Sequence, residues 1–255
     1  MRALVINMAD ATDRMQMMAR QLDHLGLHWT RIEAVTPETL VPDAADRFWQ
    51  NWQRPLRSTE MALTASHILA WKEVTEGPAL ILEDDALLSP CLPDFLARMA
   101  DEPGIEHLSL ETRGRKKLLE RAPGPAWRMR QDRTGSAAYM LWPAGARALI
   151  ERSGDAAAPS DALISETRLE SYQAVPALAV QFDMCRAYGI EPPLATQSLI
   201  DRVAKPPAQA GAGFRRRRIL GQLGMGLNAL SHPRAIRIHV QPAADLAEMA
   251  AVLRA

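Results

Sequence analysis

Apolar residues along this chain follow two rhythms. Leu4, Val5 and Ile6 form a short apolar run closed by Asn7, as expected of a buried strand. Residues 12–25 then place Met15, Met18, Leu22 and Leu25 at helical spacing, and Gly26 stops them. Residues 29–35 can return as a second strand, which gives a βαβ opening whose parallel strands need helices over both faces. Ser58 as N-cap with Glu60 in the first turn predicts a helix that carries Met61, Ala65, Ile68 and Leu69 inward and ends before Gly77-Pro78. The wholly apolar run 79–82 fits a central strand covered on both faces, and Glu83-Asp84-Asp85 terminates it. Residues 108–110 and 137–142 are further strands, the second leading through Pro143, at the first position of a helix, into the run 144–151.

This alternation predicts an α/β fold with a mostly parallel central sheet flanked by helices. Its 255 residues, 47% hydrophobic, suffice for one large domain or a domain with an appendage. Past about residue 205 the composition changes: Pro206-Pro207, Gly211 and Gly213 precede Arg215, Arg216, Arg217 and Arg218. We read this as a domain over residues 1–204 and a basic, partly helical C-terminal appendage over 205–255. With 30 Lys and Arg against 30 Asp and Glu, no global field recruits nucleic acid, and 5% aromatic residues supply no stacking pattern. The only cysteines, Cys91 and Cys185, are too few for a disulfide scaffold. The first apolar run is too short for a signal-peptide core, and none is long enough to span a bilayer, so a cytoplasmic location is expected.

The chemistry concentrates where the 79–82 strand ends, because ligands of open α/β sheets collect beyond the carboxyl ends of strands. In an extended backbone Glu83 and Asp85 point to one side and Asp84 to the other. Hard oxygen ligands of this kind suit Mn²⁺ or Mg²⁺, which bridges a diphosphate and stabilises its departure; solvated loop acids are the competing reading. Asp85-Ala86-Leu87 does not continue as a dehalogenase-type phosphatase would, and the chain has no glycine-rich phosphate cradle, which removes support for kinase, GTPase and dehydrogenase readings. His24, His28, His107, His232 and His239 have no zinc-ligand spacing.

The chain resembles glycosyltransferase family 25, the lipopolysaccharide and lipooligosaccharide biosynthesis galactosyltransferases, up to about Arg202. The resemblance is carried by Val5-Ile6-Asn7 with Asp13-Arg14, by Glu60-Met61-Ala62-Leu63-Thr64-Ala65-Ser66-His67 with Trp71-Lys72, and by Leu80-Ile81-Leu82-Glu83-Asp84-Asp85-Ala86. Weaker echoes are Gly135 with Ala138-Tyr139, Pro159-Ser160-Asp161, Val175-Pro176 with Gln181, and Gln197-Ser198-Leu199-Ile200. The resemblance implies a GT-A-like nucleotide-sugar-binding fold, a UDP-sugar donor carrying galactose or glucose, and inversion at the anomeric carbon. It makes Glu83 and Asp85 the metal and diphosphate pair, with Asp84 beside them, and Asn7 and Arg14 a grip on the nucleotide. The family usually has Gly-Cys where this chain has Ala62-Leu63.

An inverting transfer needs a base for the acceptor hydroxyl. Asp161, in the Pro-Ser-Asp segment, is the candidate, with helix capping as its alternative role; Glu111, after the 108–110 strand, is the reserve. Ser66 and Asp84 are assigned to donor binding, and His67 to shaping the donor pocket or supporting the acidic loop. The run Arg113-Gly114-Arg115-Lys116-Lys117 reads as a mobile loop near the anionic donor or acceptor, or as an exposed, solvated charge run. Arg215, Arg216, Arg217 and Arg218 precede Leu220, Leu223, Leu227 and Leu230 on one helical face, although Gly221, Gly224 and Gly226 weaken that helix. A basic cluster beside an apolar stripe suits the anionic inner face of the cytoplasmic membrane, where a lipid-linked acceptor would reside. The expected activity is metal-assisted transfer of a hexose from a UDP-sugar to a saccharide hydroxyl of a lipid-linked or oligosaccharide acceptor in lipopolysaccharide or related glycan synthesis. The alternatives are a catalytically degenerate binding or scaffold protein and a nucleotidyltransferase using the same acids at phosphorus.

Overall fold

The structure, a computed structural model, describes residues 1–132, 135–155, 157–195 and 212–255. Strand β1 (Arg2–Asn7), helix α1 (Thr12–His24) and strand β2 (Trp29–Glu33) form the βαβ opening. Helix α2 (Ser58–Lys72) begins with Arg57, not Ser58, as N-cap, and leads to β3 (Ala79–Glu83). Then follow β4 (Ala86–Leu88), α3 (Leu92–Met99), β5 (His107–Ser109), β6 (Lys116–Glu120), β7 (Ala126–Gln131) and β8 (Ala138–Leu141). The chain continues through α4 (Pro143–Asp155), α5 (Ser160–Glu166), β9 (Ser171–Ala174) and β10 (Ala179–Gln181). Past residue 211 come α6 (Ala212–Ser231), β11 (Ile236–His239) and α7 (Leu246–Arg254).

Among the described residues nine strands share one sheet in the order β11-β6-β7-β9-β5-β8-β3-β1-β2, while β4 and β10 form a separate antiparallel pair. The sheet is mixed. Parallel pairing joins β1 to β2 and β3, and β5 to β9. Strand β8 runs antiparallel between β3 and β5, and β7, β6 and β11 extend the sheet antiparallel. Because β8 is reversed, its entry lies at the same edge as the exits of β1, β3 and β5.

Side-chain alternation divides the core between two faces. Ala3, Val5, Leu80, Leu82 and Met140 point to one face and pack with Met18 and Leu22 of α1, Leu92 and Phe95 of α3, and Leu246 and Met249 of α7. Leu4, Ile6, Ile81, Tyr139 and Leu141 point to the other, against Ala70 and Trp71 of α2, Leu149 of α4, and Leu163 and Ile164 of α5. The helix-flanked α/β sheet expected from the pattern is therefore present.

The C-terminal part is not an appendage. Strand β11 pairs with β6 from Ile236↔Leu119 to His239↔Lys116, and Leu246, Met249, Ala250 and Leu253 of α7 are buried in the main core. Ser89 Oγ donates to Asp245 at 2.8–2.9 Å, which pins the start of α7. The arginine run drew attention to local composition, while the short strand and helix behind it are stabilised by distant partners that a local pattern does not show. The 204/205 boundary, most of the linker and the Gln197-Ser198-Leu199-Ile200 echo lie outside the described residues.

Candidate active site

A cavity of about 570 Å³ opens at the edge where β1, β3 and β5 end and β8 begins. Its walls include Arg14, residues 34–37 after β2, Ala62, Leu63 and Ser66 of α2, and Glu83, Asp84 and Asp85. Arg54 and Glu60, Arg113 and Arg115, Gly135 and Ser136, Ser160 and Asp161, and Gln181 also line it. This is the strand-end location at which α/β sheets collect ligands.

The three acids share the cavity but have different partners. The backbone turns at Asp84 and Asp85, so the strict side-to-side alternation of an extended chain does not apply. Glu83 Oε1 accepts from Ser136 Oγ at 3.0 Å and lies 3.3 Å from His67 Nε2. Burial opposes the Glu83 charge, but these contacts and the nearby Arg113 outweigh it and hold the carboxyl below its usual range. Asp84 Oδ2 accepts from Asn7 Nδ2 at 2.7 Å, and Oδ1 pairs with Arg14 Nη1 at 3.1 Å. Burial nonetheless lifts Asp84 to about 6. Asp85 accepts from Gln181 Nε2 at 3.1 and 3.3 Å, and burial, together with the Glu83 charge, pushes it to about 7. Glu83 thus carries the charge, and Asp85 sits beside it short of a counter-charge.

A buried relay orients Glu83. Trp71 Nε1 donates to the Tyr139 hydroxyl at 2.7 Å, and that hydroxyl lies 3.0 Å from His67 Nδ1. With the hydroxyl donating to Nδ1, the remaining imidazole hydrogen sits on Nε2 and points at Glu83. His67 is fully buried and supports the acidic loop without lining the cavity. Ser66 lines the cavity, but its hydroxyl donates to Ala62 O and accepts from Val35 N, so it ties α2 to the segment after β2. Asn7 is likewise a brace: it is 2% exposed, and besides Asp84 it engages Arg31 Nε and Ala11 O. Among the proposed nucleotide contacts Arg14 is the one that reaches the cavity.

Asp161 lies in the first turn of α5 and lines the cavity, with Oδ1 accepting from Ala162 N at 2.8 Å. Burial lifts its carboxyl to about 6. Glu111 is elsewhere. Its 1% exposure leaves no route to an acceptor, which corrects its assignment as reserve base. Sealed beneath Gly135, it accepts from Ala137 N at 2.6 Å through Oε1 and so braces the turn that presents Ser136 to Glu83.

Burial, and then the Glu83 charge, push Glu111 to about 8, so it is largely protonated at neutral pH. A carboxyl raised in the folded state binds more protons folded than unfolded between its ordinary value and about 8. Its stabilisation is therefore complete below the unfolded value and is lost as pH rises through about 8. Glu111→Gln carries no proton to lose. Denaturant unfolding should show the wild type losing up to about 5 kcal/mol relative to this variant between acidic and alkaline pH. Parallel profiles would remove Glu111 as a buried neutral acid.

The basic run divides sharply. Lys117 is 1% exposed: its Nζ donates to Ser109 Oγ, Glu111 O and Gln173 Oε1 and pairs with Asp132 Oδ2 at 2.6 Å. Arg113 and Arg115 project into the cavity on either side of Gly114, whose φ of +66° favours glycine. Arg113 pairs with Asp183 at 3.0 Å. Sequence reasoning left these arginines unassigned, because nothing local distinguishes them from Lys117 two residues on.

Among the described residues no three His, Cys, Asp or Glu side chains gather into a metal-binding group. Two cavity carboxylates, Glu83 and Asp85, do fit a hard divalent ion of the kind held by one or two carboxylates with water and substrate phosphates completing the shell.

Comparison with known proteins adds the family. Residues 1–164, more than half the chain, match the model of glycosyltransferase family 25 (LPS biosynthesis protein). No curated protein matches the chain. Among solved structures it is similar to a glycosyltransferase involved in the glycosylation of the major capsid of PBCV-1, with TM-score 0.40, 12% identity, 71% of this chain and 91% of that one. It is also similar to the inositol-1-phosphate CTP transferase from T. maritima, with TM-score 0.39, 13% identity, 71% of this chain and 70% of that one. The assignment rests on the sequence match: this chain belongs to glycosyltransferase family 25, the family of lipopolysaccharide biosynthesis glycosyltransferases.

Proposed function

We propose that the protein transfers a hexose, galactose or glucose, from a UDP-sugar to a saccharide hydroxyl of a lipid-linked acceptor, with inversion, at the cytoplasmic face of a membrane. The observation that carries this reading is that the Glu83, Asp84 and Asp85 wall and Asp161 share one cavity at the strand ends. The Asp161 carboxylate takes the proton of the acceptor hydroxyl as that oxygen bonds to the anomeric carbon, and the bond from that carbon to the diphosphate oxygen breaks with its electron pair leaving on UDP. A value near 6 leaves Asp161 mostly ionised at neutral pH yet more basic than an ordinary aspartate, as a general base needs.

Arg14, Arg113 and Arg115 face the leaving diphosphate as cations; Arg115, exposed at the mouth, has no ion-pair partner among the described residues. Glu83 and Asp85 would hold Mn²⁺ or Mg²⁺, which supplies Lewis-acid stabilisation of the departing diphosphate. Ala62 and Leu63 line the cavity, so the departure from the family's Gly-Cys changes its wall directly.

The test is UDP release from UDP-galactose, UDP-glucose and UDP-N-acetylhexosamines, with and without Mn²⁺, in the presence of a saccharide acceptor. One hexose donor should be turned over in a metal-dependent way. Asp161→Asn should retain donor binding and lose about 10²–10⁴-fold in turnover. UDP binding without release from any donor would instead favour the degenerate binding protein, and cleavage at phosphorus the nucleotidyltransferase.

A further inference from the structure

Helix α6 turns its apolar stripe outward. Ile219, Leu220, Leu223, Leu227 and Leu230 are 48%, 56%, 58%, 66% and 80% exposed, whereas soluble helices normally direct such a stripe inward. The opposite side of α6 is fixed to the domain by polar bonds. Arg217 Nε donates to Trp52 O at 2.8 Å and Nη2 to Gln50 O at 2.9 Å, while Asn228 Nδ2 donates to Arg130 O at 2.7 Å. Gly221 lies so close to Gln53 that a Cβ there would stand 2.5 Å from its Nε2. Positions 217, 221 and 228 thus define the attached face, and the leucines define the free one.

Charge selects the occupant. The helix contains four arginines at its start and no acid, and Arg215, Arg216 and Arg218 are exposed. Arg215 and Arg216 border a shallow apolar depression with Ile219 and Leu220, so basic heads and apolar surface adjoin on one side. An acidic protein surface would satisfy the arginines but not the leucines, and a second copy of the helix would add its own uncompensated arginines. An anionic lipid surface offers phosphate to the first and hydrocarbon to the second.

The attached face leads to the cavity. Residues 50–53, which α6 grips, continue into Arg54, which lines the cavity and holds Glu60 through Nη1 and Nη2 at 2.8 and 2.6 Å. We infer that α6 seats the protein on an anionic lipid surface through its outward leucine face, and that Arg217 ties the seated helix to the Arg54 rim of the cavity. The rim's use by a lipid-linked acceptor rests on the transferase reading; the seating does not.

Flotation of the full chain with phosphatidylcholine vesicles, with or without phosphatidylglycerol, tests the seating with no turnover needed. Wild-type protein should float at least tenfold more with the anionic vesicles, and Leu223→Glu/Leu227→Glu should abolish this with an unchanged melting midpoint. Equal recovery on both vesicles overturns the charge selection. A clear fall in the midpoint would show the stripe covered by the chain itself, and a dimer dispersed by the same variant would show a second copy as its occupant; either overturns the inference. Hydrogen exchange tests the tie: vesicles should slow the amides of 50–54 several-fold in wild type but not in Arg217→Ala, which still floats. The same slowing in both would overturn it. Failure of UDP release with successful flotation would remove the transferase reading alone.

Discussion

Asp85→Asn is expected to lower sugar transfer by about 10²–10³-fold while leaving the melting midpoint unchanged or raised. The rate term follows from the proposed role of the Asp85 carboxylate as a holder of the divalent ion: losing that ligand weakens the cation that would stabilise the departing diphosphate, and loss of one preorganised electrostatic contact has an effect of that order. The stability term has the opposite sign because of the neighbours. Asp85 is pushed to about 7 by burial and by the Glu83 charge, so a neutral side chain of the same shape relieves a repulsion. The asparagine oxygen can still accept from Gln181 Nε2, which now engages both carboxylate oxygens. Parallel measurements of UDP release and thermal unfolding decide the matter. Near-normal turnover would remove Asp85 from the mechanism, and a large fall in the midpoint would make it a structural acid.

Gly135→Ala should be the most damaging single methyl group near the site. Gly135 has φ +110°, and an added Cβ would lie 2.7 Å from Oε1 and 2.8 Å from Cδ of Glu111. Backbone strain and overpacking together are on the order of 2–4 kcal/mol, or about 5–15 °C in the melting midpoint of a domain this size. Activity should fall further than stability alone requires, because the displaced Glu111 carboxyl holds Ala137 N, next to the Ser136 hydroxyl that orients Glu83. Glu111→Ala made in the Gly135→Ala background should recover part of the loss, since it removes the clash and leaves the strain. Purely additive effects in calorimetry would show that the two residues do not oppose each other.

Much of the acidic edge of the cavity was legible in the chain. The apolar runs at 4–6 and 79–82 end in Asn7 and in Glu83-Asp84-Asp85, and their strands pair in parallel so that Ile6 stands opposite Glu83. A buried strand has a continuous apolar signal, and its end is marked by the first polar residues. The dispersed echoes are also spatially coherent: Gly135, Asp161 and Gln181 line the cavity, and Tyr139 acts on Glu83 through His67. The expected roles were less legible. Asn7 reads as a nucleotide contact yet is a buried brace, and of the two roles open to His67, pocket wall or support of the acidic loop, burial leaves the second, because side-chain chemistry can be read locally while accessibility depends on what packs above it.

The sequence by itself determined the βαβ opening, the acidic strand end and the family, since each is written in neighbouring residues or in the spacing of motifs. Tertiary structure alone decided that Glu111 lies beneath Gly135 while Asp161 lines the cavity, and that Lys117 is buried while Arg113 and Arg115 are not. It also decided that β11 and α7 complete the main sheet and core while the leucines of α6 face outward. Each of these turns on long-range packing: a charge is tolerated inside where distant Gln173 and Asp132 meet it, and an apolar stripe stays outside when the opposite face has already been bonded to the domain.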